Sequence, residues 1–190
     1  MRQATFSNPD DASQYLAEHI IRKILDFKPT AARPFVLGLP TGSSPEGIYA
    51  RLVKAYKLGR ISFKNVVTFN MDEYLGLPPL NPQSYHYFMY DKFFNHVDIP
   101  KENINILNGL TTDIEKECAR YEAKIHQYGR IHLFLGGLGP EGHIAFNLLI
   151  IVRHFINFFT LIGVNQQLEW FIHVYMCLVE LYSVIIDKKR

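Results

Sequence analysis

Apolar residues return every three or four positions between Tyr15 and Leu25 (Tyr15, Leu16, Ile20, Ile24, Leu25), which predicts an amphipathic helix. Asp10 or Asp11 stands where a helix cap is needed, and the Lys28-Pro29 pair marks the end. A short apolar strand follows from Phe35 to Leu39. Pro40 to Ser44 makes a tight turn into a second helix, with Pro45 in its first turn and Ile48, Leu52, Val53 and Tyr56 along one face. Val66 to Asn70 reads as the next strand. After a loop punctuated by Pro78, Pro79 and Pro82, Ser84 to Phe94 reads as an aromatic helix and Asn103 to Leu107 as a short strand. Asp113 to Tyr128 reads as a further helix, and Ile131 to Leu135 as the strand that feeds a glycine-rich loop.

Strands alternating with helices of this length predict an α/β fold: a Rossmann-like, doubly wound, mainly parallel sheet with helices on both faces. The pattern changes at Leu148. From there to Arg190 roughly six residues in ten are apolar, with neither Pro nor Ala, and only Arg153, Glu169 and Glu180 interrupt the apolar stretch before the charged end. Three readings of this tail stay open: a pair of buried helices, a translated segment unrelated to the rest, or a hairpin for a membrane or a partner. No charge-free run reaches the roughly 18 to 20 residues of a membrane span, so a membrane role is not favoured.

The 190 residues, 48% hydrophobic and 20% charged, fall in the ordinary globular class. A net charge of +2 with interspersed signs supplies no basic stripe, so no nucleic-acid partner is expected. Cys118 and Cys177 lack zinc-type or CxxC spacing, and the first residues show no leader, which places the expectation in a reduced cytoplasm.

Three segments could carry chemistry. In LPTGSSP, Leu39 to Pro45, Thr41, Gly42 and Ser43 lie between a strand and a helix, where backbone amides form an anion nest; the alternative is a plain side-chain cap. The lysine of a nucleoside-triphosphate P-loop is missing. In NMDEYLG, Asn70 to Gly76, Asp72 and Glu73 leave the sheet pointing in different directions, so that one could serve as a general base and the other could anchor the loop. In GGLGPEGHIAFN, Gly136 to Asn147, Glu141 and His143 could form an acid/imidazole pair that shuttles protons. The remaining histidines show no metal-ligand spacing, so a metal is not expected.

LGLPTGSSP, VVTFNMDEYLGLP, NPQSYHYFM, FFNHVDIP, NINILNG and GGLGPEGHIAFN occur in the order and spacing of a known family. Over residues 1–147 the chain resembles the glucosamine-6-phosphate deaminases, also called glucosamine-6-phosphate isomerases. The resemblance implies a cofactor-free and metal-free conversion of glucosamine 6-phosphate and water to fructose 6-phosphate and ammonia. His143 then matches the ring-opening acid/base, with Glu141 beside it, and Asp72 the base that takes the C2 proton. Thr41, Gly42 and Ser43 match the phosphate-binding turn, and Glu73, Gly137 and Ala145 complete the expected contacts to the sugar phosphate. Relatives are homo-oligomeric; the oligomeric state of this chain is left open.

Two departures bear on activity. The family has aspartate where this chain has Glu141, and a carboxylate misplaced by about 1 Å can cost about 10²-fold. The family continues FNEP, whereas here Asn147 meets Leu148. Residues 148–190 therefore read as an unrelated tail on a truncated deaminase domain, with activity impaired. A non-catalytic sugar-phosphate binder and a 6-phosphogluconolactonase-like hydrolase are the alternatives.

Overall fold

Helix α1, Pro9–Phe27, starts two residues earlier than Asp10 as a cap would place it. Pro9 takes the first helical position, where its missing N–H costs nothing, and the Asn8 side chain accepts from the Asp11 N–H at 2.8 Å. Asp10 and Asp11 instead occupy the first turn, where their charge complements the helix dipole. Lys28, in the left-handed region at φ 54°, closes the other end by donating its N–H to the carbonyls of Ile24 and Leu25. The buried face is Leu16, Ala17, Ile20, Ile21 and Ile24. Tyr15 and Leu25, expected on that face, are exposed.

The computed structural model describes residues 4–137 and a strand at 160–163. β1 (Phe35–Leu39) lies parallel to β2 (Val66–Asn70), and helix α2 (Ser43–Lys57) joins them. β3 (Asp72–Leu75) and helix α3 (Tyr85–Lys92) follow β2. β4 (Ile104–Asn105), helix α4 (Ile114–Gln127) and β5 (Leu133–Phe134) come next. The sheet runs β4-β2-β1-β5, and every pairing in it is parallel. β4 and β5 are shorter than the predicted 103–107 and 131–135 because the ladder closes over only two residues of each. Main-chain bonds from His132 to the Val36 carbonyl and from Leu135 to the Gly38 carbonyl continue the β1 contact on both sides of β5.

Alternation along the strands sorts the core into two layers. Phe35, Leu37 and Leu39 of β1, with Leu133 and Leu135 from the β5 segment, pack against α1, α2 and α3. Val36, Val67, Phe69 and Phe134 face the other way, towards Cys118 and Tyr121 of α4. Helices therefore cover both faces of the sheet, as the alternating pattern predicts. Each fully buried large apolar side chain contributes about 1.5–3 kcal/mol, so these two layers dominate the stability of the sheet.

Two elements depart from the sequence reading. The aromatic helix predicted over Ser84 to Phe94 ends at Lys92, and Phe94–His96 forms a short 3₁₀ turn. Ser84 caps α3 by accepting from the Tyr87 N–H. Residues 72–75, read as a loop, form β3, paired in parallel with β6 (Thr160–Gly163) from Asp72 opposite Thr160 to Leu75 opposite Gly163. Apart from β6, the predicted tail 148–190 lies outside the described residues. Among the described residues no helix is long and apolar enough to cross a membrane.

Gly38 sits opposite Phe134 in the β1–β5 register, and a Cβ there would lie 2.2 Å from the Phe134 ring. Both strands are pinned by backbone hydrogen bonds, so neither backs away freely. Gly38→Ala is expected to destabilise the fold by about 1–3 kcal/mol, read as a lower urea midpoint. Phe134→Leu in the same chain should recover part of the loss, and an unchanged midpoint in the single variant would contradict this packing.

Candidate active site

The connection from β1 to β2 runs to one side of β1, and β5 returns on the other. β1 and β5 thus flank the point where strand order reverses, and in open parallel sheets the ligand crevice forms there, outside the carboxyl ends of the strands. The segment after β1 is Pro40 to Ser44, that after β5 is Gly136 and Gly137, and that after β2 is Met71 and Asp72. The Met71 N–H donates to the Leu39 carbonyl, and a Cβ on Gly136 would lie 3.6 Å from the Met71 Cε. Two of the three predicted segments, and the start of the third, therefore meet at one end of the sheet.

Gly42 is the residue that caps α2, with φ +100°, a conformation that side-chain-bearing residues rarely adopt. No side chain caps this helix, which excludes the plain-cap reading of Thr41, Ser43 and Ser44. Gly42, Ser43 and Ser44 are exposed and Thr41 half-buried. Among the described residues the first N–H groups of α2 are thus without a side-chain acceptor, at the positive end of the helix dipole, beside three hydroxyls. From below, the buried Tyr49 hydroxyl donates to the Pro40 carbonyl and holds the turn against α2.

Asp72 and Glu73 diverge as adjacent strand residues must, and their environments differ. Both Glu73 oxygens are committed to backbone. Oε1 accepts from the N–H groups of Tyr74 and Tyr85 at 2.8 and 2.9 Å, and Oε2 from that of His86 at 2.8 Å. Glu73 is 2% exposed and anchors the start of α3 to the start of β3. Asp72 is 5% exposed, and its Oδ1 has no hydrogen-bond partner among the described residues. Burial, and secondarily the charge of Glu73, push the Asp72 carboxyl up to about 7. One neighbour is therefore structural and the other a carboxyl that takes up or releases a proton near neutral pH.

The charge of Asp72 reaches three tyrosines that the sequence pattern did not single out. Tyr49 and Tyr121 are fully buried, and burial drives both phenols well above the ordinary tyrosine range, with Asp72's charge adding to it. The Tyr121 hydroxyl contacts the carbonyls of Asn70 and Asn105 at 2.9 Å, tying α4 to the ends of β2 and β4. Tyr85 is half-buried, its hydroxyl donating to that of Tyr74 at 3.2 Å. Burial first, then the Tyr74 bond and the charge of Asp72, raise it, while Thr41 pulls the other way. All three are neutral hydroxyls at neutral pH. Their signal in the sequence was aromatic spacing, which reads equally well as core.

Of the predicted site residues, Thr41, Gly42, Ser43, Asp72, Glu73 and Gly137 fall in the described part. Glu141, His143 and Ala145 lie outside it. Gly137 is exposed, with open space where a Cβ would stand.

Most of the chain is similar to known proteins. Residues 7–146 match the family described as glucosamine-6-phosphate isomerases/6-phosphogluconolactonase. A glucosamine-6-phosphate isomerase of Candida albicans is 74% identical over 147 residues, which are 77% of this chain and 58% of that protein. A glucosamine-6-phosphate deaminase of Haemophilus influenzae is 60% identical over 147 residues, 77% of this chain and 54% of that one. The chain thus spans somewhat over half the length of these relatives. A solved monomeric glucosamine-6-phosphate deaminase superimposes with a TM-score of 0.72 at 37% identity, covering 77% of this chain and 58% of its own. A 6-phosphogluconolactonase from Thermotoga maritima, at 22% identity and a TM-score of 0.60 over 70% of this chain and 59% of its own, shares the fold.

A carboxyl raised from 3.8 to about 7 by folding makes the native state costlier as pH rises. In the unfolded chain Asp72 ionises freely, so its contribution is intact below pH 3.8 and is lost as pH climbs through about 7. Asp72→Asn, which removes the ionisation, is expected to stabilise the protein by about 2–4 kcal/mol at pH 8 and by almost nothing at pH 3.5. Thermal melts of the two chains at both pH values check this; a variant no more stable at pH 8 would contradict it.

Proposed function

The chain belongs to the family of glucosamine-6-phosphate isomerases and 6-phosphogluconolactonases, and on that premise we propose that it acts on glucosamine 6-phosphate as a deaminase. The observation that carries this reading is Asp72, a buried carboxyl poised near neutrality at the crevice end of the sheet, the end at which α2 starts without a side-chain cap.

The chemistry requires a carbon acid to lose a proton and a neighbouring carbon to gain one. A carboxylate in water is too weak a base to do this well. Raised to about 7, Asp72 is a stronger base and is still substantially ionised at neutral pH. In the proposed reaction the ring is opened first, with His143 moving a proton to the ring oxygen and Glu141 orienting the imidazole. Asp72 then removes the C2 proton, an enolamine forms, and the same carboxyl returns the proton to C1. Water displaces the nitrogen, leaving fructose 6-phosphate and ammonia. The Asp72 Oδ1, without a partner among the described residues, is suited to the shuttle, because no bond to them has to break before it accepts the proton.

The phosphate is assigned to the turn after β1. The N–H groups at the start of α2 and the hydroxyls of Thr41 and Ser43 give it donors, and Gly42 lets the backbone approach. Gly137 and Ala145 line the opposite loop in the same reading. Glu73 serves by holding Asp72 and α3 in register. The proposal includes a cytosolic setting, a small-molecule partner and no nucleic acid. Residues 148–190 are proposed to be a tail unrelated to the family pattern, and turnover is proposed to be slow.

Ammonia release from glucosamine 6-phosphate by the 190-residue chain tests the reading. Slow release is expected, rising with pH through about 7 as Asp72 ionises and abolished by Asp72→Asn or His143→Gln. Glu141→Asp, which restores the family's shorter side chain, is expected to raise the rate by up to about 10²-fold. Acid release from 6-phosphogluconolactone without ammonia from the amino sugar would contradict the proposal in favour of the lactonase reading.

A further inference from the structure

Tyr85 occupies an unusual place for a residue on an aromatic helix. It is the first residue of α3, and its N–H is held by the same Glu73 oxygen that holds the N–H of Tyr74. That shared acceptor brings the two tyrosines together, with ring centroids 4.7 Å apart and the Tyr85 hydroxyl donating to the Tyr74 hydroxyl at 3.2 Å. Thr41, from the turn after β1, acts on the same phenol as a hydrogen-bonding neighbour, and so does the charge of Asp72. Tyr85, like Tyr49 below the turn, answers to both the turn and the base, but Tyr85 alone of the two is half-buried rather than fully buried. Ordinary core packing does not explain this, since Tyr85 is only half-buried and its polar end points at polar neighbours.

Resting on the sugar-phosphate reading above, we propose that Tyr85 is a ligand of the phosphate, supplying from α3 a neutral hydroxyl donor that completes the nest formed by Thr41, Ser43 and the start of α2. A phenol suits the position. Its proton turns about the C–O bond from the Tyr74 oxygen to a phosphate oxygen with no movement of the ring, and it adds no charge that would perturb Asp72. Glu73 is the positioning residue, because its carboxylate fixes the backbone on which the Tyr85 ring stands.

The test is titration of the 190-residue chain with inorganic phosphate by calorimetry, in wild type, Tyr85→Phe and Tyr74→Phe, alongside thermal melts without phosphate. Tyr85→Phe is expected to weaken phosphate binding by about tenfold or more, the loss of one hydrogen bond to a charged group, with the unliganded melting temperature unchanged. Tyr74→Phe is expected to bind phosphate as well as wild type or better, since the Tyr85 proton then has no competing acceptor. Wild-type affinity in Tyr85→Phe would overturn the role of Tyr85 while leaving the phosphate site standing. Equal weakening in both variants would also overturn it, marking the pair as packing. Failure of the wild type itself to bind phosphate would overturn the site and Tyr85's part with it.

Discussion

The carboxylate of Glu73 is the constraint on which the candidate site depends. Buried and accepting three backbone N–H groups, it joins the start of β3 to the start of α3, two segments that no strand pairing connects. Hydrogen bonds to a charged acceptor are worth about 1.5–3 kcal/mol each, enough to hold an irregular segment at the mouth of the sheet. Two consequences follow from the bonding. Asp72, one residue earlier, is denied those donors and is left buried, its Oδ1 without a partner among the described residues; Tyr74 and Tyr85 are drawn together. An anchoring acid beside an under-solvated acid is how one dipeptide carries both structure and reactivity.

The sheet contributes what the clamp cannot. Reversal of strand order between β1 and β5 opens the crevice, and the near-contact of Gly38 with Phe134 sets how closely those strands approach. The start of α2, without a side-chain cap, gives the crevice a positive end, and Asp72 gives it a carboxyl raised to about 7. Stability is given up at both places: among the described residues, a helix without a side-chain cap and a carboxyl oxygen without a partner each cost free energy that a purely structural design would recover. Such unrecovered costs are what a binding site looks like before its ligand arrives.

Much of this was legible in the residues. Phe35 to Leu39 and Val66 to Asn70 were read with the bounds the structure shows, because both are apolar runs flanked by clear breaks. The divergence of Asp72 and Glu73 follows from strand geometry alone. β3 was not legible, since DEYL has no alternating pattern and its partner β6 lies far along the chain. The true cap of α1 was hidden because Asn8 precedes a proline, and two plausible aspartates follow it. Tyr49, Tyr85 and Tyr121 could not be placed, for their hydroxyls reach Pro40, Tyr74, Asn70 and Asn105 only once the chain is folded. Glu141 and His143 rest on the reading of the glycine-rich loop and on the family resemblance, and Ala145 on the resemblance alone, all three being outside the described residues.

The central claim is that folding turns Asp72 into a base poised near neutral pH. Carbon-13 NMR of the chain labelled at aspartate side chains, with Asp72→Asn to assign the signal, measures this directly. One carboxyl, absent from the variant, should titrate with a midpoint near 7. An Asp72 signal that titrates near 4, as an aspartate in water does, would contradict the account.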